Sequence, residues 1–262
     1  MIAKFKMSCL ILLSASLCLL SCACRTDSTE SVPTGPLIQA EKSPQQLLEE
    51  QPIDDTHDAF LVDTGGRLGT LLIAAELATG SKNEFGTRDI TFTVWDPAEM
   101  EQPIQTFTEE FMMGVAPEFH DVVDANFDGF QDFGYLFHMG NQPNYWHYWL
   151  WDEEQGQFIY YAPLRGISQP VFDAECQIVK GWARSSAATG THTFYRWMNE
   201  ELILVREIYI DFTQLIIVED LVDGQMVEVY REEWEEKDEG DVLDVLFKWS
   251  DLDYHGEPTE EN

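Results

Sequence analysis

From residue 60 onward, apolar and polar residues alternate in short runs and seldom recur at helical spacing. Residues 90–94 read Ile, Thr, Phe, Thr, Val, a period of two that puts Ile90, Phe92 and Val94 on one face of a half-buried strand. Two aromatic-rich runs, 145–151 and 158–161, flank a polar stretch in which Gly156 is free to take a positive φ, so the pair predicts a hairpin. Runs 194–197 and 202–205 predict a second hairpin. Runs 216–218 and 226–230 predict a third, turning at Asp223-Gly224. Residues 68–78 fit either helix or strand by pattern, and the glycines at 65, 66 and 80 favour a strand. Strands spaced by roughly 8–15 residues and joined by Gly, Asn and Asp turns predict an all-β fold: an antiparallel sandwich, a barrel or a small propeller. No sustained helical stripe follows residue 58. From Arg231 on, acidic residues surround a last apolar segment (Val242, Leu243, Val245, Leu246, Phe247, Trp249), and this end is expected to be solvated. The β-rich domain is therefore expected over 59–250, with an acidic tail at 251–262.

The N-terminus has a different pattern. Lys4 and Lys6 precede an apolar run, 9–20, that is short for a membrane span and reads as the core of a signal peptide. It ends in Leu19-Leu20-Ser21-Cys22, which resembles a bacterial lipobox: aliphatic residue, small residue, then the cysteine that receives lipid. Residues 1–21 are thus expected to be removed and Cys22 to be lipidated, with an ordinary secretory cleavage near Ala23 as the competing reading. Acyl chains contribute about 0.8 kcal/mol per buried methylene, so such a cysteine holds a protein on a membrane without a spanning helix. Residues 22–58 are polar and broken by prolines, with room for one short helix near 43–50, and are expected to be a flexible tether. Such a chain spans roughly 30 Å, taking about 5–6 Å times the square root of its length. The expected location is the cell envelope, facing the periplasm or the exterior.

Composition narrows the partners. The 262 residues carry 15 Lys and Arg against 48 Asp and Glu, a net charge of −33. Such a surface repels nucleic acid and anionic lipid headgroups, so membrane contact is expected through the lipid anchor only. A cationic partner or divalent cations are favoured. Loss of Cys9 and Cys18 with the leader and use of Cys22 for lipid leave Cys24 and Cys176, too few for a disulfide framework, although these two could pair.

One motif carries specific chemistry. Residues 124–132 read Asp-Ala-Asn-Phe-Asp-Gly-Phe-Gln-Asp, with side-chain oxygens at the first, third, fifth and ninth positions and glycine at the sixth. That spacing lets a tight loop direct several hard oxygens at one ion, as Ca²⁺ requires. Gly129 allows the sharp turn that would bring in the Phe130 carbonyl. An EF-hand would need glutamate at the twelfth position, where Tyr135 stands, and flanking helices. The competing reading is an Asx-rich turn without an ion.

The pattern resembles the calcium loops between strands of FG-GAP-type propeller repeats. Together with Pro103 to Phe107, the run 121–133, and Tyr148 to Asp152 followed by Gly156 to Phe158, it is similar to a family of calcium-binding, β-rich bacterial lipoproteins. That family includes the immunity protein of the xanthomonad type IV secretion killing system. The resemblance spans about residues 85–210. It implies a fold like that of periplasmic lysozyme inhibitors, structural Ca²⁺ on Asp124, Asn126, Asp128, Phe130 and Asp132, and inhibition of a peptidoglycan hydrolase.

Other candidates are His138 and His147, which could face each other across a hairpin and hold a metal, and the loop residues Asn141, Asn144, Tyr145 and Trp146, whose amides and aromatics suit partner binding. Core packing of Tyr145 and Trp146 is the competing reading. Two functional classes stay open. One is a non-enzymatic binding or inhibitor protein whose acidic surface steers a cationic peptidoglycan hydrolase toward it. The other is a cell-surface glycan-active enzyme using paired carboxylates.

Overall fold

The computed structural model describes residues 42–80, 87–111, 119–139, 144–236 and 238–256. Residues 1–41, where the leader, Cys22, Cys24 and most of the tether are expected, lie outside the described residues. A six-residue helix, α1 (Pro44–Glu49), opens with a capping box in which Ser43 and Gln46 satisfy each other's backbone N–H groups, and it lies against the first two strands.

Among the described residues, fourteen strands then form three antiparallel sheets, each a simple meander. The first holds β1 (His57–Asp63), β2 (Thr70–Leu77), β3 (Arg88–Trp95) and β4 (Gln105–Phe111). The second holds β5 (His120–Val123), β6 (Asp132–Met139), β7 (Asn144–Asp152) and β8 (Gln157–Tyr160). The third holds β9 (Val171–Asp173), β10 (Ile178–Arg184), β11 (Thr189–Met198), β12 (Glu201–Asp211), β13 (Leu215–Val222) and β14 (Gln225–Glu233). Among the described residues no sheet closes on itself, so the fold is an open all-β stack and not a barrel. The predicted hairpins are present as β7–β8, β11–β12 and β13–β14, and the ambiguous run at 68–78 contains strand β2. Turn chemistry explains their registers. Asn199 and Glu200 take φ 53° and 66°, and Asp223 and Gly224 take 49° and 80°, the twist that two-residue hairpins need, while Gly156 takes 66° to close the four-residue turn between β7 and β8.

The second sheet is the middle layer because both of its faces are apolar. Phe133, Tyr135, Trp149 and Trp151 point toward Phe60, Ile73, Phe92 and Phe111 of the first sheet. Phe133 stacks on Trp149 at 5.0 Å, and Phe92 meets Tyr135 edge-on at 5.0 Å. Residues between them face the other way: Tyr148 packs with Leu164, Ile167 and Val179 against the third sheet. Gly134 is the β6 partner of Tyr148, and the ring lies where any Cβ at 134 would sit. A side chain at 134 would therefore push the two strands apart.

The far face of the third sheet corrects one expectation. The segment after residue 231 is not a solvated end. It forms α2 (Glu239–Trp249), capped by Asp238, whose carboxylate accepts the Gly240 N–H at 2.8 Å. Val242, Leu246 and Trp249 fall at i, i+4 and i+7 and are buried against Ile178, Phe194, Ile208, Ile210 and Val218. Arg206, only 1% exposed, fixes the end of this helix. Its guanidinium donates to Asp220 and to the carbonyls of Trp249 (2.9 Å), Asp251 (2.8 Å) and Tyr254 (3.1 Å).

Candidate cation loop and adjoining groove

The motif of residues 124–132 joins β5 to β6 at one end of the middle sheet. Its carboxylates organise the backbone. Asp124 accepts the N–H of Asp128 (3.0 Å) and of Gly129 (2.9 Å), and Asp128 accepts that of Phe130 (2.9 Å). The Asn126 amide donates to Asp128 at 2.7 Å, while its oxygen accepts the Asp128 N–H at 3.2 Å. The turn needs positive φ at Phe127 (60°) and Gly129 (94°), the second of which glycine adopts without strain. Phe130 is half-buried on the core between the first two sheets. Gln131 ties the loop to β1 through its side-chain oxygen and the Asp63 N–H, at 2.8 Å.

Asp132 is the deepest member, with no solvent exposure. One oxygen accepts the Ala125 N–H and the other the Trp151 N–H, both at 2.8 Å, so it staples the loop to β7. Burial pushes its pKa up to about 8, with the charges of Asp128 and Asp124 adding to the rise and the two N–H bonds opposing it. Partial burial also raises Asp124, and the neighbouring Asp128 charge adds to that rise. Three carboxylates thus crowd one turn without a basic side chain among them. A cation relieves such crowding, and the donor set of carboxylate and amide oxygens is hard, which suits Ca²⁺ over a soft metal. As the side chains stand, their oxygens are turned to backbone N–H groups, and no three His, Cys, Asp or Glu side chains among the described residues gather tightly enough to ligate an ion.

Beside the loop lies a groove of about 770 Å³. Its open aromatic surface comes from Tyr161 and Trp197, and its carboxylates are Asp128, Asp152, Glu153, Glu154 and Glu200. The sequence shows the strands that carry these residues, but nothing in it announces that the β7–β8 and β11–β12 turns meet the loop. The meeting is made by hydrogen bonds. The Trp197 indole donates to the Ala125 carbonyl at 2.9 Å, and the Leu202 N–H donates to the Tyr161 hydroxyl at 3.1 Å. Glu153 is held by the Arg67 N–H and the Trp151 indole, both at 2.9 Å, and these bonds keep its carboxyl below the usual value.

The remaining predicted residues fall elsewhere. His138 and His147 do not face each other: a bulge after Leu136 shifts the register, so His147 pairs with Tyr135 and His138 with Tyr145. His147 is buried, stacked on Phe137 at 4.2 Å, and among the described residues neither ring nitrogen has a hydrogen-bond partner. Burial, and then the charge of Arg165, lower its pKa to about 4. Asn141 lies outside the described residues. Asn144, Tyr145 and Trp146 begin strand β7, with Trp146 packed toward the third sheet and Tyr145 bridged to Ser168. Cys176 is an exposed free thiol in the β9–β10 turn. Among the described residues no helix is long and apolar enough to cross a membrane.

No family model matches the chain, and no curated protein matches it. Among solved structures, it is similar to a Xanthomonas type IV secretion system related protein, at 16% identity over 66% of this chain and 93% of that one, with a TM-score of 0.47.

Proposed function

We propose that this protein is an envelope lipoprotein, anchored through Cys22, that binds a cationic partner protein and is not itself an enzyme, the class of partner being a peptidoglycan hydrolase that it inhibits. Calcium in the 124–132 loop is structural in this reading: it holds the β5–β6 loop in shape and carries out no chemistry. The observation that carries the reading is the charge asymmetry. A folded surface from a chain at −33 attracts cations over a Debye length of about 8 Å at physiological salt. Hydrolases that work on anionic cell wall gain from being basic, so the same asymmetry raises the rate at which the two meet.

The test uses full-length protein in mild detergent against a panel of basic lysozymes and secreted wall hydrolases. Inhibition or complex formation that weakens steeply with salt is expected. Absence of both across the panel, or turnover of a glycan by the protein alone, would replace this reading with the enzymatic one.

A further inference from the structure

The geometry points to the groove beside the 124–132 loop as the surface that receives the cationic partner, and we propose that it takes Lys or Arg side chains projecting from a loop of that protein. The inference rests on the cationic-partner reading and gives it a place on the molecule. Two features of the groove fit a basic side chain together. Four carboxylates outside the 124–132 loop, Asp152, Glu153, Glu154 and Glu200, line it with no basic residue among the lining side chains, although Arg67 stands beside Glu153, so a single cation entering it meets attraction from both turns. The aromatic surface of Trp197 and Tyr161, whose rings lie 4.8 Å apart, offers a face for the charged head, and Leu150 and Ile159 offer apolar contact for the methylene stem. Ile159, in the groove lining, is 40% exposed and open to such a contact.

The walls are also set before any partner arrives. Trp197 hangs on the Ala125 carbonyl and the Tyr161 hydroxyl accepts the Leu202 N–H, so neither ring must be ordered on binding, which lowers the entropic cost of association. Glu154 and Glu200 are both exposed at turn tips, and among the described residues no contact uses their carboxylates. They are the groups most available to a Lys or Arg.

The experiment compares two double variants of the full-length protein in calcium-containing buffer with mild detergent. E154Q/E200Q neutralises the groove rim. E235Q/E236Q removes the same charge just past β14, at the end of the third sheet opposite the β11–β12 turn. Binding of an amidated hexalysine peptide is followed by calorimetry and tryptophan emission, with the acetylated peptide and chitohexaose as probes of apolar and glycan binding. The groove assignment predicts that E154Q/E200Q weakens hexalysine binding about five- to tenfold at low salt, the range expected for two exposed charge pairs, while E235Q/E236Q changes it less than about twofold. Equal weakening by both variants, with unchanged melting, would mean that net charge alone attracts the peptide; the groove assignment would fall and the cationic-partner reading would stand. No hexalysine binding by the wild type would remove both. Tryptophan quenching by chitohexaose in place of hexalysine would reassign the groove to glycan.

Discussion

Asp132 offers the sharpest test of how this fold treats charge. It is wholly buried, its two oxygens are each taken by a backbone N–H at 2.8 Å, and its pKa stands at about 8 against an ordinary 3.8. The sign follows from linkage. Between pH 3.8 and 8 the folded state holds a proton at Asp132 that the unfolded state has lost, so this residue's contribution to stability is greatest at low pH and falls as pH rises through that window. Each unit costs about 1.4 kcal/mol, so ionised Asp132 disfavours the metal-free fold at pH 7 by roughly 4 kcal/mol relative to pH 4. Asp132→Asn removes that term. It also turns an amide N–H₂ toward one of the two backbone donors, a loss of about 1–3 kcal/mol. In chelator, the melting temperature of D132N minus that of the wild type should therefore climb with pH, by roughly 2–4 °C per kcal/mol for a domain of this size. From pH 5 to pH 7 that is a rise of roughly 5–10 °C. Calcium should reverse the comparison. It binds the ionised carboxylate and stabilises the wild type by about 2.7 kcal/mol at a hundredfold excess over Kd, while D132N responds less. Melting followed by circular dichroism from pH 4.5 to 8, with chelator and with calcium, decides it. A constant gap between the two proteins across pH would refute the burial argument, and identical curves with and without calcium would refute the cation site.

Arg206→Ala should cost about 3–5 kcal/mol, because it leaves Asp220 half-buried without its partner and frees three carbonyls at the end of α2; a lowered denaturation midpoint is the readout, and an unchanged midpoint would show that α2 is not held this way. His147 carries the opposite sign to Asp132: its folded pKa of about 4 against 6.5 means that the unfolded state takes up the proton first, so stability is lost as pH falls from about 6.5 to 4. His147→Phe should therefore melt closer to the wild type at pH 7 than the wild type's own acid loss would suggest at pH 4.5, where the variant should be the more stable by about 2–3 kcal/mol; a wild type that keeps its lead at pH 4.5 would contradict a neutral buried imidazole. Cys22→Ser should shift the protein from the membrane to the soluble fraction of fractionated cells, and full membrane retention of that variant would rule out lipid anchoring at this residue.

Much of the fold is legible in the chain because strands and hairpins are encoded locally. The alternation at Ile90, Phe92 and Val94 marks a buried face wherever the strand ends up, and Gly156 and Asp223-Gly224 set turns through their own backbone preferences. The 124–132 loop is legible for the same reason, since its shape is written in Asx side chains that bond to N–H groups two to five residues away. What the sequence leaves open depends on contacts distant in the chain. The acidic stretch around Val242, Leu246 and Trp249 reads as a solvated end by its charge, and it becomes a packed helix only because the third sheet offers Ile208, Ile210 and Val218 to bury it and Arg206 to close its end. Asp132 reads as one more loop oxygen until Trp151, nineteen residues on, places an N–H against it in a site closed to solvent. The groove exists only in three dimensions: its carboxylates sit on turns of two different sheets, and a tryptophan at 197 bonded to a carbonyl at 125 brings them together. Local patterns fix which backbone shapes are cheap, whereas burial, charge crowding and cavities depend on which distant surfaces exclude water from one another.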